Sequence, residues 1–192
     1  NYKKSTVYRR IERRMAINKI KSIGKYIKIL RENKDEVAAL FKDMLITVTN
    51  FFRNPETFEI LKHEVLPDLI NNISSDSPLR IWVPGCATGE EAYSLGIIIA
   101  EVMESLNRYI NCQIFASDID SEAIDFARKG IYQENIASDV SKDRLQQYFI
   151  KQENEYKVKK QIREMVIFAE QNVIKDPPFS QLDLISCRNV LI

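Results

Sequence analysis

"VPGCATGEEAYSLGIIIAEVM", residues 83–103, continues a short apolar run, Ile81-Trp82-Val83, that stops at Pro84. Two glycines four apart, Gly85 and Gly89, lead into Glu90, Glu91 and a sustained helical pattern. A glycine turn between strand and helix lets a ligand approach the backbone and meet the free N–H groups of the helix start. The spacing is GxxxG, not the GxGxxG of dinucleotide sites, and two carboxylates at the helix start repel a pyrophosphate. A ligand with a positive centre suits them better. Glu90 and Glu91 also suit the positive end of the helix dipole as plain N-terminal acids, so the turn alone leaves both readings open.

The chain around the turn places it in a parallel sheet. "LRIWV" (79–83), "CQIFASD" (112–118), "EMVIFAEQ" (164–171) and "LDLISC" (182–187) are short β-like runs separated by helical stretches, the pattern of an α/β fold. "QYFIKQENEYKVKK" (147–160) alternates and turns at Glu153-Asn154, which predicts an inserted antiparallel hairpin at about 148–160. Upstream, residues 5–46 read as three short helices. In the first, Val7, Tyr8, Ile11, Met15 and Ile17 form an apolar stripe with arginines on the opposite face; Asp35 opens the third. "TVTNFFRNP" (47–55) breaks the helical pattern and ends in Asn54-Pro55, a helix-start signal with proline in first position.

The second strand supplies what the turn lacks. "FASDID" ends in Asp118 and Asp120. Asp120 suits the N-cap of "SEAIDFARKG", whereas an acid at the strand tip, Asp118, can accept hydrogen bonds from both hydroxyls of a ribose. A ribose and a cationic group without phosphate describe S-adenosylmethionine. On that reading the turn carries carboxylates because its ligand is a sulfonium nucleoside.

Composition sets the outer limits. The 192 residues are 45% apolar and 29% charged, with a net charge of +1. That figure hides an asymmetry: residues 1–34 hold twelve lysines and arginines against Glu12 and Glu32, a basic block that invites an anionic partner. Cys86, Cys112 and Cys187 are scattered and odd in number, which argues against a zinc site or a disulfide framework and for a reducing, cytoplasmic compartment. No apolar run of about 18 residues exists, so no membrane insertion is expected. The chain starts at Asn1 and stops at Ile192 within an apolar run, which reads as a piece of something longer.

Taken together, "TVTNFFRNPETFEIL", "WVPGCATGEEAYSL", "FASDIDSEAIDFARKGIY" and "QNVIKDPPFSQLDLISCRNVLI" resemble the CheR family of chemotaxis methyltransferases. "YKKSTVYRRIERRMAI" and "DLISCRNVLI" are most similar to the CheR part of CheB/CheR fusion proteins. The resemblance covers nearly the whole chain. It implies a Rossmann-like S-adenosylmethionine-dependent methyltransferase sheet, C-terminally incomplete here, with a small all-α N-terminal domain and an inserted β-hairpin subdomain. The implied domains are a basic helical domain at 1–46, a linker and lead-in helix at 47–79, and the S-adenosylmethionine-binding domain at 80–192.

The implied activity is methyl transfer to glutamate side chains of bacterial chemoreceptors, with S-adenosylhomocysteine as the other product. The implied partners are acidic, glutamate-rich receptor helices and, as a candidate, a CheB-like methylesterase module in the same full-length chain. By position the resemblance assigns cofactor contacts to Thr47, Thr49, Arg53, Gly85, Glu91, Asp118, Asn172, Val173, Arg188 and Asn189, with Arg53 as the catalytic residue and no metal. Where the family carries asparagine or another polar residue, this chain has Thr47. Some family members dock a receptor tether on the hairpin through a glycine-containing loop, whereas this turn, Gln-Glu-Asn-Glu, has none.

Two other classes compete. One is a non-catalytic cofactor-sensing or docking module in a signalling fusion. The other, prompted by the basic helices, is a nucleic-acid methyltransferase, for which "DPPF" (176–179) is only a near-miss to the expected N/D-P-P-Y loop. With four strands where such sheets usually have seven, "LDLISC" is expected to leave an open apolar edge and make the isolated chain self-associate.

Overall fold

The computed structural model describes residues 4–44, 49–74 and 77–189; Thr47, among the expected contacts, lies outside them. The described residues form two compact units, one on each side of residues 45–48.

The first unit is three helices: α1 (Lys4–Ile17), α2 (Ile23–Glu32) and α3 (Lys34–Met44). Asn33 caps α3, its Oδ1 accepting the N–H groups of Asp35 at 2.9 Å and Glu36 at 3.1 Å. The expected amphipathic stripe on α1 is only partly used, because Tyr8 and Ile17 lie on the surface. Arg14, which the stripe put on the outer face, turns inward instead. It forks onto the buried Glu36 (Nε–Oε1 3.0 Å, Nη2–Oε2 2.6 Å), and Tyr26 donates to Oε1 at 2.7 Å. An ionic triad therefore joins all three helices where apolar periodicity alone predicted aliphatic packing.

The second unit opens with a helical rod, α4 (Pro55–Ile60), a π-turn (Leu61–Val65) and α5 (Leu66–Asn72). Pro67 has no N–H to continue the ladder, and the wide turn lies just before it. The segment read as linker and lead-in helix is core material here: Phe51, Phe58, Leu66 and Ile70 are all buried.

There follow β1 (Leu79–Pro84), α6 (Glu90–Ser105), β2 (Cys112–Asp118) and α7 (Ser121–Lys129). An inserted lobe comes next, with β3 (Ile131–Gln133), a 3₁₀ turn (Glu134–Ser138), α8 (Lys142–Tyr148), β4 (Phe149–Gln152), β5 (Glu155–Val158) and α9 (Lys160–Arg163). The chain then returns to the main sheet as β6 (Val166–Glu170) and β7 (Leu184–Ile185).

The main sheet is parallel, in the order β6-β2-β1-β7. α6 is buried nearly all round, as a helix of such uniform apolarity must be. Ile81 and Val83 of β1, Ile114 of β2 and Leu95 and Ile98 of α6 are essentially inaccessible; each contributes about 1.5–3 kcal/mol of apolar transfer.

The hairpin expected at 148–160 is present as β4 and β5, but it belongs to a three-stranded sheet, β3-β5-β4. β3 was missed because three residues carry no readable period. Gly130, in the left-handed region at φ +61°, turns the chain from α7 directly into it. β7 is an edge strand of two residues, and Ile185 on it is exposed.

Candidate functional site

The chain builds β1, β2 and β6 outward on one side, then crosses to place β7 on the other flank of β1. Ligands of open parallel sheets bind beyond the carboxyl ends of the strands at such a reversal. At ~4.8 Å per strand the four ends span about 14 Å, enough for an extended nucleoside with an amino-acid tail. The cavity of about 320 Å³ bounded by Tyr93, Arg128, Arg163 and Phe168 includes none of the strand-end residues.

The turn after β1 is held rigidly. Cys86 N–H donates to the Ser117 carbonyl at 3.0 Å, and Gly89 N–H to the Cys86 carbonyl at 2.9 Å. Gly85 and Gly89 lie at φ +66° and +93°. A Cβ at Gly89 would meet the Ala127 Cβ at 2.8 Å and the Phe168 ring at 3.1 Å, so no side chain fits there. Asp118, at the tip of β2, ties down the same turn: its Oδ2 accepts from Ala87 N–H at 2.8 Å and its Oδ1 from Asp120 N–H at 2.9 Å. Each carboxylate oxygen keeps a second lone pair for a ligand hydroxyl. Asp120 caps α7 as its spacing predicted, accepting from Glu122 and Ala123 N–H.

The two glutamates part company. Glu90 turns inward, 8% exposed, where the Thr88 hydroxyl shares its one proton between the two carboxylate oxygens, at 2.7 and 2.9 Å. Burial pushes its carboxyl above the usual range. Glu91 faces the β1/β7 crevice. The Ser186 hydroxyl donates to its Oε1 at 2.6 Å, while Arg188 Nη1 stands 3.9 Å from Oε2. Burial raises its pKa too, against the opposing pull of Ser186, Arg188 and Arg53. The crevice thus has one available carboxylate of the pair.

Arg188 bridges two segments remote in sequence. Its Nη2 donates to the Arg53 carbonyl and to Asn54 Oδ1, and its guanidinium lies 5.1 Å from the centre of the Phe58 ring. Arg53 is thereby fixed beside the crevice. The residues on either side of it, Phe52 and Asn54, both adopt left-handed backbone, at φ +51° and +58°, a strain that persists only where the surroundings enforce it. The enforcement is visible. Ser94 Oγ of α6 accepts Phe52 N–H at 3.0 Å, and the Phe51 ring meets Tyr132 and Phe149 edge-on. Both phenylalanines are core residues.

The remaining expected contacts lie further out. Thr49 is half-buried before Phe51. Asn172 spends its Oδ1 on the N–H groups of Ile174 and Lys175, shaping the loop after β6 and leaving Val173 on the surface. Asn189, exposed at φ +58°, follows Arg188. The Phe179 ring of "DPPF" stacks on Phe115 at 4.7 Å, a packing role.

Sequence reasoning missed Ser186 and Asn54. The signal for Ser186 was its place directly after an apolar strand, at the carboxyl edge. Cys86 is buried with its thiol pKa pushed up by that burial, so it stays protonated. Among the described residues no His, Cys, Asp and Glu side chains cluster to hold a metal, and no helix is long and apolar enough to cross a membrane.

Residues 47–192 match the CheR methyltransferase SAM-binding domain, and residues 1–45 the CheR methyltransferase all-alpha domain. A 104.1 kDa uncharacterised protein from the hypE 3′ region of Rhodobacter capsulatus is 39% identical over the whole chain, which spans 20% of that protein. The chemotaxis protein methyltransferase of Borreliella burgdorferi is 32% identical over 99% of the chain and 70% of its own length. That of Salmonella typhimurium is 30% identical over 100% of the chain and 66% of its own length.

Proposed function

The chain belongs to the CheR methyltransferase family, with S-adenosylmethionine as its cofactor, and from that premise we propose that it methylates glutamate side chains of chemoreceptors. The observation that carries this reading is the pairing of two carboxylates, Asp118 at the end of β2 and Glu91 in the first turn of α6, with Arg53 and Arg188 beside Glu91. The set suits a ligand with a diol, a cationic end and a carboxylate, and it is hostile to phosphate.

S-adenosylmethionine, when bound, supplies a methyl group on a positively charged sulfur and leaves as S-adenosylhomocysteine. Asp118 would accept from the ribose hydroxyls, and Glu91 would receive the ammonium of the amino-acid tail. Gly85 leaves room for the backbone to approach. Thr49, Asn172, Val173 and Asn189 complete the walls. Arg53 would hold the incoming substrate carboxylate by a bidentate grip. A glutamate with a pKa of about 4.3 is already an anion at neutral pH, so the site needs no general base. Its work is alignment and the exclusion of water.

The basic N-terminal helices meet the acidic, glutamate-rich receptor helices in the cytoplasm. With this reading we propose the division 1–46, 47–79 and 80–192, the last two parts sharing one core. A CheB-like methylesterase module elsewhere in the full-length protein would remove the same methyl groups.

The test is titration with S-adenosylhomocysteine and, in parallel, NAD, followed by transfer of labelled methyl to a receptor fragment. Saturable binding of the thioether alone and base-labile label on receptor glutamates support the proposal. NAD binding overturns the site assignment, label in nucleic acid overturns the substrate class, and binding without turnover on any receptor indicates a sensor.

A further inference from the structure

Ser186 stands at the point where the sheet reverses. Its N–H closes the β1/β7 ladder on the Trp82 carbonyl at 2.8 Å, and the residue is 8% exposed. Its hydroxyl donates to Glu91 Oε1 at 2.6 Å, a short charge-assisted bond. Among the described residues Glu91 Oε2 accepts no hydrogen bond, and Arg188 Nη1 waits 3.9 Å away.

The geometry points to Ser186 as a positioning residue: its hydroxyl pins one oxygen of Glu91 so that the other faces the ligand's ammonium instead of closing on Arg188. This rests on the cofactor reading given above. Without the serine, Oε1 loses its donor and the carboxylate swings to the nearest cation. The resulting ion pair competes with the ligand.

The electrostatics agree with the geometry. Burial is the largest influence on Glu91 and favours its neutral form; the Ser186 donor is the strongest opposing influence, ahead of Arg188 and Arg53. The other ionisable groups nearby give no help. Glu90, the next residue back on α6, is turned to Thr88, Cys86 in the turn is a protonated thiol, and Asp118 across β1 is engaged with the Ala87 and Asp120 N–H groups. Removing the donor therefore moves Glu91 titration to higher pH.

The experiment is calorimetric titration of the protein and its Ser186→Ala and Ser186→Thr variants across the acidic range. Two probes are used, S-adenosylhomocysteine and 5′-methylthioadenosine, which keeps the nucleoside but lacks the ammonium. Ser186→Ala is expected to bind S-adenosylhomocysteine on the order of ten-fold more weakly, with the acid limb of affinity moved to higher pH. Its affinity for 5′-methylthioadenosine is unchanged, and Ser186→Thr restores both properties.

Equal affinity and superposed pH curves in Ser186→Ala overturn the positioning role while leaving the cofactor site intact. Equal loss for both probes overturns it as well, by showing general damage to the rim. Absence of S-adenosylhomocysteine binding in the unmodified protein removes the cofactor reading itself and this inference with it.

Discussion

Glu36 in the helical unit and Glu91 at the start of α6 are both carboxylates drawn away from bulk water, yet their pKa values move in opposite directions. Glu36 has every oxygen answered: Arg14 forks onto both and Tyr26 adds a third bond. The Arg14 hydrogen bond outweighs burial and holds its pKa at about 2. Tyr26, buried beside that charge, is pushed up to about 12. Glu91 has one oxygen hydrogen-bonded by Ser186 and the other met only by Arg188 at 3.9 Å, so burial dominates and its pKa is raised. A completed network ties helices together; an incomplete one at a helix start beside the strand ends is a place for something else to bind.

That contrast can be broken at either end. The largest effect is expected from Glu36→Ala, which leaves Arg14 without its partner. The helical unit should lose roughly 3 kcal/mol, the low end for a broken buried pair because Arg14 keeps some solvent. Circular dichroism melting would show it. The same residue sets an acid dependence. With a folded pKa of about 2 against an ordinary value of 4.5, its contribution is fully present above about 4.5 and is lost as pH falls from there towards 2. The variant should melt without that dependence, and an unchanged acid profile would show the triad to be dispensable.

Next in size, Asp118→Ala removes the acceptor proposed for the ribose and frees the amides of Ala87 and Asp120. S-adenosylhomocysteine affinity should fall by about a hundred-fold, the worth of two hydrogen bonds to a charged group. Unaltered calorimetric affinity would remove Asp118 from the site. Gly89→Ala sharpens the comparison from the backbone side. With φ +93° and the Ala127 Cβ 2.8 Å away, the cost should be roughly 2 kcal/mol, read as a lower Tm of the second unit.

The smallest effect is expected of His63→Ala. The exposed pair of His63 with Glu59, at 3.3 Å, is worth under about 0.5 kcal/mol, and methyl transfer should be unaffected. A clear loss of turnover would reopen the question of a general base.

Much of this was legible in the chain itself. The change of period after residue 78, the helix start at Asn54-Pro55 and the cap at Asp120 are local signals, and each element forms where its signal stands. Other readings failed for want of a partner. Apolar spacing on α1 placed Arg14 outside because nothing within one helix announces a buried glutamate on another. β3 is too short to carry a period, and it forms because β5 offers it a ladder. The adjacent Glu90 and Glu91 are indistinguishable as letters, yet one is sealed under Thr88 and the other opens to the crevice.

The sequence by itself determined the order and kind of elements, the glycine turn and the carboxylate at the tip of the second strand, because propensity, capping and periodicity act within a few residues. Tertiary structure alone decided which groups share the site. Ser186 reaches Glu91 across 95 residues, and Arg188 reaches Arg53 across 135. Such pairs meet only because the chain reverses at β1 and brings the ends of β1 and β7 side by side. Hydrogen bonds act over about 3 Å, and only the folded topology brings such distant residues within that distance.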